Sequence, residues 1–137
     1  MNKIESCVEI KHKKSGKVNI EWNWVTFHKE FKGKVRCFIP AYDIYFTVND
    51  VEEISQKSKN LLKIFFSYIL SDYPKNNKLQ YLGIQLRKRG FQTDSFSMSR
   101  ILKNLPQNAK FKPSEYEVPN DFQNATKTAS QSLEMAL

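Results

Sequence analysis

A chain of 137 residues, 40% hydrophobic and 26% charged, has the composition of a globular domain and is long enough to bury one core. Four glycines and five prolines exclude a collagen-like or low-complexity chain, and two cysteines, Cys7 and Cys37, exclude a disulfide framework. The formal net charge of +8 is uneven: residues 73–112 hold nine Lys or Arg against Asp94 alone, whereas residues 113–137 hold Lys127 against four acids. That asymmetry calls for an anionic partner, or for a tail that neutralises its own basic neighbour.

The first element in chain order is a strand over residues 4–12. Ile4, Val8, Ile10 and His12 share one parity, and Glu5, Cys7, Glu9 and Lys11 share the other. Lys13-Lys14-Ser15-Gly16 reads as a hairpin turn, followed by a strand over 17–27 with Val18, Ile20, Trp22 and Trp24 on one face. At Val25 and Phe27 the apolar parity switches, which a bulge or a strand end buried on both faces explains. A third strand, 34–40, runs into Pro40, which cannot donate to a ladder and marks an edge or a turn. A fourth, 43–48, ends at Asn49-Asp50, where Asp50 with Glu53 forms a capping-box pattern.

A helix over 51–71 follows, with Ile54, Ser58, Leu61, Leu62, Phe65 and Ile69 at helical spacing. Its second half is apolar nearly all round and needs cover on more than one side. A second helix over 77–89 can supply it through Leu79, Leu82 and Leu86, with Gly90 as C′ residue; dimerisation is the alternative. Beyond Gly90 the pattern suggests a short strand over 91–98, a helical turn or two over 99–105, and an extended piece over 111–119 broken by Pro113 and Pro119. The end, ASQSLEMAL, is a thinly patterned helix candidate that could fray. The expected fold is α+β: a mainly antiparallel sheet of three to five strands with helix 51–71 across one face. Residues 1–112 form one domain and 113–137 an acidic tail, either packed back or partly disordered.

Ile39-Pro40, Phe46-Thr47 and the helix opening Asn49-Asp50-Val51-Glu52-Glu53-Ile54 resemble the HicB antitoxin-like domain over residues 18–71. The family's Pro-Gly-Cys turn is replaced here by Ala41-Tyr42-Asp43-Ile44, and no DNA-binding module follows. The resemblance implies a partial ribonuclease-H-like unit without nuclease activity, whose role is to mask a partner protein.

Catalytic chemistry is thin in this chain. His12 and His28 are the only histidines, and a Cys37–His28 pair across strands has nothing to orient it. No converging carboxylates suit a two-metal centre, and no phosphate loop or nucleophile elbow is present. The expectation is a protein without catalysis, metal or cofactor.

Two binding readings remain, with masking or docking of a partner protein as the expected function and nucleic-acid binding as the alternative. In one, Phe66, Tyr68 and Leu70 leave the main stripe of the long helix and meet a protein partner or a second copy. In the other, Lys75, Lys78, Arg87, Lys88, Arg89, Arg100 and Lys103, joined by Lys110 and Lys112, contact nucleic acid. Tyr73, Tyr81, Phe91 and Phe96 are then candidates to stack on bases, though core roles also suit them. The longest apolar run, Leu61–Leu70, contains Lys63 and is too short to cross a bilayer, and no secretory h-region opens the chain. A cytoplasmic protein with no membrane partner is expected.

Overall fold

A computed structural model describes residues 6–71, 78–113 and 118–137. It has the expected α+β class, with every strand pair antiparallel and the strands divided between two sheets. Strands β1 (Val8–His12) and β2 (Val18–Trp24) form the first hairpin. Its turn closes through Lys13 N–H to Lys17 O and Gly16 N–H to Lys13 O, both at 2.9 Å. Next come β3 (Phe27–Phe31), β4 (Lys34–Ile39) and β5 (Ile44–Val48). Helices α1 (Ile54–Ser71) and α2 (Lys78–Lys88) are followed by β6 (Phe91–Gln92), α3 (Ser95–Leu102), β7 (Gln107–Pro113), β8 (Thr126–Lys127) and β9 (Gln131–Ala136).

The first sheet has the order β6-β7-β1-β2-β9 and the second β5-β4-β3-β8. The parity switch after Trp24 is where the chain leaves one sheet for the other. Trp24, Val25 and Thr26 are all buried there, so the step is enclosed on both sides. The C-terminal chain follows the same step. Lys127 lies opposite Phe27, and Gln131 lies opposite Trp24. One extra residue is therefore inserted beside the kink, a bulge on the partner strand. At the kink the Thr26 backbone N–H donates to the Thr128 hydroxyl oxygen at 3.0 Å, not to a backbone carbonyl.

Four stretches differ from the sequence reading. Residues 28–31 fell between the expected strands and form most of β3, paired with β4 along its length. ASQSLEMAL is a strand: Leu133 and Met135 pack on the core while Glu134 faces out, a period of two that suits a sheet edge. The strand expected over 91–98 is only two residues long. Asp94 then caps α3 by accepting from Ser97 N–H at 2.7 Å and Ser97 Oγ–H at 2.9 Å. The extended piece expected over 111–119 begins earlier, at Gln107, because Ala109 and Phe111 alternate with Lys110 and Lys112 and fill the place beside β1.

The core lies between the first sheet and the helices. Val8, Ile10, Ile20, Trp22, Trp24, Ala109 and Phe111 face Leu62, Phe66, Ile69, Leu82, Leu86 and Ile101. Each buried Val, Leu, Ile or Phe among them contributes roughly 1.5–3 kcal/mol by area. Trp22 stacks on Phe66 with ring centroids 4.3 Å apart. Gly83 lets α2 approach α3 closely: a Cβ there would meet Ile101 Cγ2 at 3.0 Å. Gly90, with φ of +92°, ends the α2 region as its Cβ-free conformation allows.

The phase of α1 corrects the interface expected at Phe66, Tyr68 and Leu70. The buried stripe is Ile54, Ser58, Leu62, Phe66, Ile69 and Leu70, with Leu61 and Phe65 half-buried at its margins. Phe66 is fully buried and Leu70 nearly so, and only Tyr68, 71% exposed, faces outward, one turn from the exposed Ile64. An all-apolar half-helix carries little phase information, and contact with the first sheet and α2 chose the face. No helix among the described residues is long and apolar enough to cross a membrane.

Candidate functional site

The basic residues of the middle third separate into two groups. Lys110 and Lys112 alternate with buried residues on β7 and so face outward from the first sheet. Lys110 stands opposite Glu9, whose other neighbour across the sheet is Glu21. Lys11, on the same face, reaches Glu21 at 3.1 Å and Glu9 at 3.9 Å. That face is mixed in sign and offers no cationic track.

The second group gathers at α2 and α3. Arg87 and Lys88 form the exposed last turn of α2, where positive charge also meets the helix's negative end. Arg89 follows, its guanidinium carbon 4.9 Å from the centre of the Phe65 ring. Arg100 is committed to the fold: its Nε–H donates to Pro106 O at 2.7 Å and its guanidinium sits 5.5 Å from the Phe96 ring. Lys103 is the exposed C-cap of α3. Lys78 opens α2 half-buried, and Lys75 lies outside the described residues.

Between these elements runs a groove of about 500 Å³. Arg87 lines it from α2, Gln92 from β6, Thr93 from the link after it, and Ser95, Met98, Ser99, Leu102 and Lys103 from α3 and its C-cap. The α3 contributors recur at helical spacing and form one face of that helix. Two cations, three hydroxyls and an amide line the groove, and no carboxylate does. The Thr93 hydroxyl oxygen is buried without a partner among the described residues. Asp94 lies next to the groove, but its carboxylate is held by Ser97. The hydrogen bonds from Ser97 pull its pKa below the usual carboxylate range. Chemically, the groove can accept an anion and donate several hydrogen bonds to it.

Of the aromatics suggested as stacking partners, Phe91 is buried and Tyr81 packs half-buried against the core. Phe96 is 71% exposed, and Tyr73 lies outside the described residues. Arg87 and Lys103 were visible in the sequence as charges. Gln92, Thr93, Ser95 and Ser99 were not, because the α3 cap at Asp94 was the signal that would have put the serines on one helix face.

His28 and Cys37 stand directly opposite in the β3–β4 ladder. Cys37 is buried, and that burial pushes its thiol pKa up to about 11, the reverse of what a nucleophile needs. Among the described residues no three His, Cys, Asp or Glu side chains converge as a metal site would require. No family model, curated protein or solved structure matches the chain.

Proposed function

We propose that this protein is a non-catalytic nucleic-acid-binding protein that holds the phosphate backbone along the α2–α3 groove. The observation that carries this reading is the lining itself: Arg87 and Lys103 with the hydroxyls of Thr93, Ser95 and Ser99, and no acid among them. Lys88, exposed beside Arg87 in the last turn of α2, adds positive charge at that end of the helix. The Lys13–Lys17 turn sits beside the α3–β7 connection, because His12 and Gln107 are paired at that end of the sheet. The arrangement suits phosphate contact, which positions a strand without reading its sequence. Action inside the cell, where Cys7 and Cys37 stay as free thiols, fits the same proposal.

Fluorescence anisotropy of mixed-sequence single- and double-stranded DNA and RNA tests it, at about 50 and 200 mM salt. Micromolar or tighter binding at the lower salt that collapses at the higher is the expected result. No binding at low salt sinks the reading.

A second reading is docking of a partner protein, with masking in the manner of the HicB-like domain. It has in its favour Ile64 and Tyr68, 65% and 71% exposed and one turn apart on α1. It loses the support expected from Phe66 and Leu70, which are buried. An apolar interface of that kind would hold its affinity as salt rises.

A further inference from the structure

We propose that the outer face of the second sheet is a separate single-strand nucleic-acid site, one that stacks on bases, and that the chain's own Asn120–Phe122 turn covers part of it as an internal competitor. This goes beyond the groove reading and does not depend on it.

The register defines the face. Val35, Cys37 and Val48 cluster with Ile54 on the inner side. The outer side therefore carries the alternate residues. Phe27, Lys29 and Phe31 of β3 lie opposite Phe38, Arg36 and Lys34 of β4, and Tyr45 continues the row beyond Phe38. Ring, cation and ring thus alternate along β3, and β4 sets Phe38, Arg36 and Lys34 beside them. Phe31 and Tyr45 are 52% and 54% exposed. Phe31 has Lys32 Nζ 5.3 Å and the Arg36 guanidinium 5.7 Å from its centroid. Stacking rings set among cations are what a single strand uses, because every base has a π-face and every linkage a charge.

The covering turn reports on the same chemistry. Asp121 places a carboxylate oxygen 3.4 Å from Arg36 Nη2. The adjacent Phe122 puts its ring centroid 5.5 Å from Phe38 and 6.1 Å from Tyr45. Lys29 Nζ donates to Gln123 O at 3.0 Å. An anion on an arginine, with a flat ring next to it on an aromatic shelf, is the arrangement that a nucleotide's phosphate and base would present. The ion pair is largely solvent-exposed, with side chains 43% and 64% accessible, so a polyanion can compete for Arg36.

The test titrates the full chain into labelled 12-nucleotide oligo(dT) and oligo(U), and into an abasic 12-mer with the same phosphates, at about 50 mM salt. The oligonucleotides are expected to bind more tightly than the abasic strand, and Phe31→Ala to narrow that gap by about 5-fold or more. Asp121→Asn is expected to tighten oligonucleotide binding a few-fold by freeing Arg36. Lys32→Glu gives a second, exposed probe of the same face. Equal binding of abasic and base-bearing strands overturns the proposal while leaving the groove reading intact, since the groove needs only phosphates. Binding of an acidic aromatic peptide, with no base dependence for the oligonucleotides, would overturn it in favour of a peptide-binding face.

Discussion

The indole N–H of Trp24 donates to the hydroxyl of Ser58 at 3.2 Å, joining the end of β2 to the second turn of α1. The same hydroxyl lies 3.0 Å from Ser55 O and 3.1 Å from Gln131 Oε1, and its one proton can serve either. Gln131 Nε2 in turn donates to Ser55 Oγ at 2.6 Å. A helix, a central strand and the C-terminal edge strand thus meet in one small polar cluster beside the kink between the sheets.

Ser58→Ala leaves the buried indole N–H without an acceptor and takes one partner from Gln131. A loss of roughly 1–3 kcal/mol is expected, read as a lower urea midpoint with an unchanged slope. Gln131→Ala should cost less, because Gln131 is only half-buried.

The phase of α1 separates two neighbouring aromatics. Phe66→Ala empties a fully buried site and should cost about 3–5 kcal/mol. Tyr68→Ala, at an exposed position, should stay within about 0.5 kcal/mol. If Phe66→Ala left thermal unfolding unmoved, the helix would not pack through this face.

At the groove, Arg87→Ala and Lys103→Ala should each weaken binding uniformly across sequences. Each should also reduce the slope of log K against log salt by about 1. Lys110→Ala, on the mixed-sign face of the first sheet, should do neither. Equal effects from all three would return the charge to a diffuse role.

Asp94 ties α3 to pH. Its carboxyl is held below the usual range by the Ser97 hydrogen bonds. The stabilisation is therefore present above the unfolded carboxyl value of about 4 and lost as pH falls through the lower folded value. Wild type should exceed Asp94→Ala in urea midpoint at neutral pH, and the gap should close in acid. A gap that persists below pH about 2 would place the cap's contribution outside its charge.

Cys37 acts at the other end of the scale. Its folded pKa is raised by burial to about 11 from an ordinary 9.0. Its contribution is therefore complete below the unfolded value and lost as pH rises through the folded one. The stability difference between wild type and Cys37→Ala should shrink between pH about 9 and 11. Thiol-reagent labelling of Cys37 at neutral pH should be slow until urea unfolds the chain.

Much of the local structure was legible in the sequence. The parities of β1 and β2, the Lys13–Gly16 turn, the Pro40 turn, the Asp50 start of the long helix and the Gly90 stop all follow from short-range chemistry, and the structure has each of them. Asp50 Oδ1 does accept from a backbone N–H there, that of Glu52, at 3.4 Å. The groove was half legible: its charges stood out, but its hydroxyls became a face only once α3 was known to begin at Ser95.

Side-chain period and turn residues determined strands β1, β2, β4 and β5 and the presence of helices α1 and α2, because those signals act over a few residues. Only the tertiary structure decided that Trp24–Phe27 crosses between two sheets, that Gln131–Ala136 is a strand beside β2, and that Phe66 points inward. Each of those outcomes depends on partners far away in the chain. A run such as Trp24-Val25-Thr26-Phe27, or the apolar half of α1, suits several surroundings equally well until long-range packing selects one.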